Sequence, residues 1–179
     1  EQVYFQKFFG ANALTDALFS IEKVKDNRLG KPLGRHKDCS DGICPQMAEH
    51  PWSGMALPAI EQLLRGYFAA FYGHRNAQEK AFGLDDFLAS QGHPEISENM
   101  KNYLQQALQT LEEVSARGDL QTQIKNMDRQ KCEQTTVEDR HEPLCALFLQ
   151  VRKVVNILKA EVLSVLSLRA PPDHQGDND

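Results

Sequence analysis

Three short stretches hold most of the chemically capable side chains. Glu49-His50-Pro51-Trp52-Ser53-Gly54 sets a carboxylate, an indole and a hydroxyl close to the start of a helical segment, where together they could bind a polar ligand. A plainer reading needs no ligand: Ser53 caps the helix and Trp52 packs against it as a hydrophobic staple. On local physics alone the plainer reading is favoured. Gly34-Arg35-His36-Lys37-Asp38-Cys39 offers an imidazole and a thiolate to a metal ion. Arg35 and Lys37 flank them, however, and neighbouring cations repel a metal ion. Gly73-His74 with Glu79 is weaker still, because five positions is the wrong separation to share one helical face.

The four cysteines, Cys39, Cys44, Cys132 and Cys145, allow three pairings that sequence cannot separate. The simplest is local, with Cys39 to Cys44 across a Ser-Asp-Gly-Ile turn and Cys132 to Cys145 ahead of a long helix. Free buried thiols are an alternative. Zinc is a poorer one, since Cys-x4-Cys followed by Cys-x12-Cys lacks the close paired spacing of a ribbon or finger. Disulfides are favoured by the even count and the polar loop positions, and they imply an oxidising compartment. The six histidines (His36, His50, His74, His93, His141, His174) fall in loops or near helix ends, the usual place for solvated imidazoles. No phosphate-binding Gly-rich loop, nucleophile elbow or His-Glu-x-x-His zinc helix is present.

Helices must position these groups, because Leu, Ala and Gln greatly outnumber Val and Ile. The periodicity predicts a first helix over 3–25, with Leu14, Leu18, Ile21 and Val24 or Lys25 on one stripe. A long connection from Gly30 to Gly54 comes next, with four glycines, three prolines and two cysteines. Connections of that length inside a compact domain are functional or disordered, and a disulfide favours order here. A second helix is expected from Ser53 to Tyr72, stopped by Gly73, and a short helical turn over 82–89. A third spans 94–117 and a fourth 143–168. Asp119 can cap a short continuation, while the polar stretch 128–142 reads as a solvated connector. The tail, 169–179, is polar and Pro-rich.

The 179 residues fit one domain or two small ones, and a chain of this size needs no metal or disulfide merely to fold. A net charge of −5 argues against nucleic-acid or anionic-membrane binding, although a local basic patch stays open. The most apolar stretch, Leu144 to Leu168, is interrupted by Arg152, Lys153, Asn156, Lys159 and Glu161, so no membrane span is expected. Residues 1–10 carry neither the basic start nor the sustained apolar core of a signal peptide. Phe5, Phe8 and Phe9 would lie exposed on the first helix unless something covers them. The expected architecture is all-α, an antiparallel four-helix bundle over 1–168.

The order of motifs resembles the second half of imelysin-like proteins, the imelysin peptidase family. There a Leu-Gly-x-Pro-Leu-Gly stretch precedes Glu-Ser-x-x-Ser-Gly-x-Ser-Leu; here Leu29-Gly30-Lys31-Pro32-Leu33-Gly34 precedes Glu49-His50-Pro51-Trp52-Ser53-Gly54-Met55-Ala56-Leu57. Gly83-Leu84-Asp85-Asp86-Phe87-Leu88 and the Gly-Asp-Asn-Asp ending at 176–179 are similar to the family as well. His50 and Ala56 depart from the pattern. The family's Gly-x-His-x-x-Glu signature, proposed to bind metal, belongs to its first half, and Gly34-x-His36 here reaches Cys39 instead of glutamate.

The resemblance implies the C-terminal half of a two-bundle protein in the bacterial periplasm or anchored to the outer membrane. Its partners would be the N-terminal half of the same protein and envelope components of iron uptake. Iron, haem or another divalent metal is the implied ligand, held in a cleft between the halves. Glu49, Trp52, Ser53, Arg28 and Pro32 are the positions the resemblance sets toward that cleft. A binding protein is favoured over a metallopeptidase, which this chain alone could not run, and over a structural or docking module.

Overall fold

The computed structural model describes residues 11–39, 42–50, 52–73, 82–138 and 141–168. Phe5, Phe8, Phe9, His74, His174 and the 169–179 tail lie outside them. Among the described residues every regular element is a helix. We number them α1 (Ala11–Lys23), α2 (Ala56–Tyr72), α3 (Leu84–Ser90), α4 (Pro94–Ala116), α5 (Leu120–Asn126), α6 (Arg129–Gln134), α7 (Pro143–Ile157) and α8 (Leu163–Leu166). Two π-helical segments, Val24–Gly30 after α1 and Leu158–Val162 between α7 and α8, continue their helices without a break. None of these helices is long and apolar enough to cross a membrane.

The stops obey the local sequence. Gly73 closes α2 in the left-handed conformation. Pro94 opens α4, where a missing backbone donor costs nothing. Asp119 caps α5 by accepting the Thr122 amide at 2.9 Å. Three boundaries differ from expectation, and the first is that the opening helical run continues as a π segment to Gly30, past the expected end at Lys25. Helix α2 starts at Ala56, not Ser53, because the Ser53 hydroxyl accepts the Met55 amide in a turn outside the helix. The 128–142 connector is not simply solvated: Asp128 accepts the Gln130 and Lys131 amides and so starts α6, which buries Cys132.

The long segments pack in a cycle. α1 touches α2 and α7, α4 touches α2 and α7, and the α4–α7 contact is the most extensive. Their apolar stripes meet in one core that includes Ile21, Val24, Ile60, Leu64, Phe71, Met100, Leu104, Leu111, Leu147, Val151 and Val154. Each large aliphatic side chain buried there contributes about 1.5–3 kcal/mol. Both local disulfides form, Cys39–Cys44 and Cys132–Cys145. They mark a protein of an oxidising, non-cytoplasmic compartment.

Candidate functional site

The crossover between α1 and α2 begins inside the first π segment. There the ladder lengthens, and the Lys31 amide reaches back five residues to the Asp26 carbonyl at 2.8 Å. An extra residue in a helical turn rotates the residues after it by about 100°. Asp26, Leu29 and Gly30 end up inside, while Asn27 and Arg28 face outward. Gly30 has no substitute in this packing, since a Cβ would come 2.8 Å from the Lys25 carbonyl and 3.4 Å from Phe148. Gly34 sits at φ +71°, and a Cβ there would collide with the backbone of Gly42. The crossover is thus folded flat on itself. The Cys44 amide donates to Pro32 O at 2.9 Å, and the Cys39–Cys44 bridge clamps the fold.

That clamp carries Glu49 to Arg28. A short 3-10 turn, Pro45–Met47, leads from Cys44 to the buried Ala48, and the next residue places its Oε2 2.7 Å from Arg28 Nη1. Both partners are partly open to solvent. Beyond them the chain turns sharply: His50 adopts a left-handed φ of 53°, and its carbonyl accepts both the amide and the hydroxyl of Ser53. Such a backbone in a non-glycine residue costs on the order of 1–3 kcal/mol. The turn holds Trp52 99% exposed and Met55 largely exposed.

Of the five residues expected at the cleft, the structure therefore joins Arg28 to Glu49. Pro32 is buried, and its carbonyl accepts the Cys44 amide as part of the crossover's framework. Ser53 shapes the turn rather than capping the helix, and Trp52 is no staple, since its indole is almost wholly open to solvent. His36 is a correction too: it is buried, and its Nδ1 accepts the Asp38 amide at 3.2 Å. Cys39 is bridged, so the Gly34–Cys39 stretch offers no thiolate.

A second charged group had not been expected. Glu22 and Lys25 are each 1% exposed in the interior, Lys25 Nζ lies 3.1 Å from Asp26 Oδ1, and Lys159 from the second π segment pairs with Glu22. Their signal was in the spacing. Positions 18, 21, 22, 25 and 29 share the apolar face of the first helix, so Glu22 and Lys25 had to enter the core with it. This cluster is enclosed by the core and ties α1 to the end of α7.

Among the described residues no three His, Cys, Asp or Glu side chains converge on a point that could hold a metal ion. Glu49 is the carboxylate of the crossover's ion pair, and Arg28 already neutralises it. The donor set of the described residues does not fit a bound iron or other divalent ion. Comparison with known protein families, with curated proteins and with solved structures finds no match to the chain.

Proposed function

We propose that this chain is a non-enzymatic binding domain of a periplasmic or outer-membrane-anchored, imelysin-like protein serving iron acquisition. In this reading the cycle of long helices is an antiparallel four-helix bundle, one half of a two-bundle fold. The turn carrying Trp52, with the Arg28–Glu49 pair at its base, forms one wall of a cleft shared with a second helical half. The order of the two crossover motifs and the disulfides support the reading.

One observation carries it. A fully exposed indole is held on a strained turn three residues beyond an ion pair whose side chains are partly exposed while its contacting atoms are shielded. Trp and Arg are the side chains that most often anchor binding surfaces. Because the described residues lack a metal donor set, an iron-bearing ligand would be held here through its organic part or through the companion half. A metallopeptidase needs three protein ligands and an open coordination position, which the described residues do not offer.

Isothermal titration of the chain together with its companion half, using ferric, ferrous and haem ligands, tests the proposal. Micromolar or tighter binding of one of them, weakened by Trp52→Ala, is expected. Heat signals no different from buffer for all three would count against it.

A further inference from the structure

A cleft on another face of the crossover has the opposite character to the rest of this acidic chain. It is a solvent-open cleft of about 320 Å³ lined by Gly34, Arg35, His36, Lys37, Phe148 and Arg152. A smaller cavity of about 110 Å³ adjoins it, sharing Arg35, Phe148 and Arg152 and reaching the Cys132–Cys145 bridge and Glu133. Three permanent cations and an imidazole thus line these spaces, against Glu133 and the Asp38 carboxylate 3.5 Å from His36 Nδ1, itself paired with Lys31, in a chain whose net charge is −5. We infer that this cleft binds a small multivalent oxyanion, a phosphate or polycarboxylate compound.

Several features support that chemistry. Guanidinium groups match carboxylate and phosphate oxygens in bidentate geometry, and two of them line this space. The partner of the Arg35 side chain among the described residues is the bridged Cys132 sulfur, 3.8 Å away, a neutral and weak acceptor that leaves most of its five donors unused. Glu133 is engaged elsewhere, paired with Arg129 at 3.1 Å. The size is that of a small-molecule site, since ligand pockets start at roughly 300 Å³. The residues that spoil the Gly34–Cys39 stretch for a metal cation are the ones that suit it to an anion. The wall is also built to hold still, with Gly34 packed on Gly42, Cys39 bridged to Cys44 and Phe148 buried against Gly30.

The site is independent of the Arg28–Glu49 rim, so the two proposals fail separately. The test is titration of the chain with inorganic phosphate, pyrophosphate and citrate at low and high salt, followed by calorimetry and by amide NMR shifts. At least one of the three is expected to bind, with affinity falling as salt rises, and shifts centred on 34–37 and 148–152. The pyrophosphate-to-citrate preference separates a phosphate ligand from a carboxylate one. Arg35→Gln should weaken binding about tenfold or more, the loss of one charged hydrogen-bond pair. Lys37→Gln, at an exposed position that leaves the fold intact, should weaken it several-fold, and Arg65→Gln, exposed on α2 outside the cleft, should leave it unchanged. No binding of any of the three at millimolar concentration would overturn the inference. So would folded Arg35→Gln and Lys37→Gln variants that bind as the parent does, or shifts centred on the rim.

Discussion

Two sets of opposite charges lie within two turns of one another where α1 runs into its π segment. Glu22, Lys25 and Asp26 are turned inward, and Lys159 meets them from the end of α7. Arg28, one short step further, turns outward and meets Glu49 across a partly open surface. The chemistry is the same and the solvent differs. Removing one member of a buried pair leaves an uncompensated charge in a poor dielectric, whereas an open pair is replaced by water almost without loss. Breaking the inner set should therefore cost the fold more than breaking the outer pair, which the proposed function uses for binding.

The largest expected effect comes from breaking the inner set. Lys25→Met should lower stability by about 3–5 kcal/mol, read as a shift of the urea midpoint at unchanged slope. Replacing both Glu22 and Lys159 with apolar residues of similar volume should recover most of what Lys159→Met alone loses. If the single change costs no more than a surface substitution, the inner charges are solvated and the contrast disappears.

Next come the bridges. Replacing Cys132 and Cys145 with serine should cost about 3 kcal/mol, and replacing Cys39 and Cys44 about 2, since the second closes the shorter loop. The smaller loss should have the larger functional effect, because Cys39–Cys44 braces the crossover that carries Glu49 and Trp52. Equal loss of ligand binding in the two variants would contradict that division.

Alkaline pH tests the core from another side. Burial raises the pKa of Tyr67, and burial together with the nearby Asp85 charge raises that of Tyr72. A group whose pKa is raised on folding adds stability that is complete below its unfolded value. Above about pH 10 the unfolded chain releases a proton that the folded chain keeps, so stability should fall by about 1.4 kcal/mol per pH unit for each tyrosine. Tyr67→Phe should remove one such contribution from the slope between about pH 10 and 11 in urea titrations. Tyr67 is the better choice, because its hydroxyl meets the Met100 sulfur, a weak acceptor, at 3.7 Å, whereas Tyr72 donates to the Ser97 carbonyl.

The smallest stability effects belong to the rim. Arg28→Gln, Glu49→Gln and Trp52→Ala should each change the unfolding free energy by less than about 1 kcal/mol. A larger loss would mean that the outer pair is part of the framework.

Helix existence and most helix ends could be read directly, because Gly73, Pro94 and Asp119 act through local backbone chemistry. The apolar stripes around Ile60, Met100 and Val151 were equally plain. The pairing of Arg28 with Glu49 was not legible, since nothing local in either segment indicates the other. The π segments were invisible: an i to i+5 ladder demands no particular residue, and the apolar period around Val24 and Leu158 stays helical. Burial of His36 was missed for a related reason, as its loop folds back only once Gly34 closes on Gly42. The cationic cleft needed Arg152 from α7 beside Arg35, a pairing that tertiary structure alone creates.

Trp52 is the one tryptophan in the chain, so its emission reports the proposed binding wall alone. Titrating the chain with the proposed companion half, then with ferric and haem ligands, should move the emission from that of a fully hydrated indole to shorter wavelength or quench it. The change should weaken in Arg28→Gln and Glu49→Gln. An indole that stays hydrated and unquenched through every addition would contradict the assignment of this turn as a binding surface.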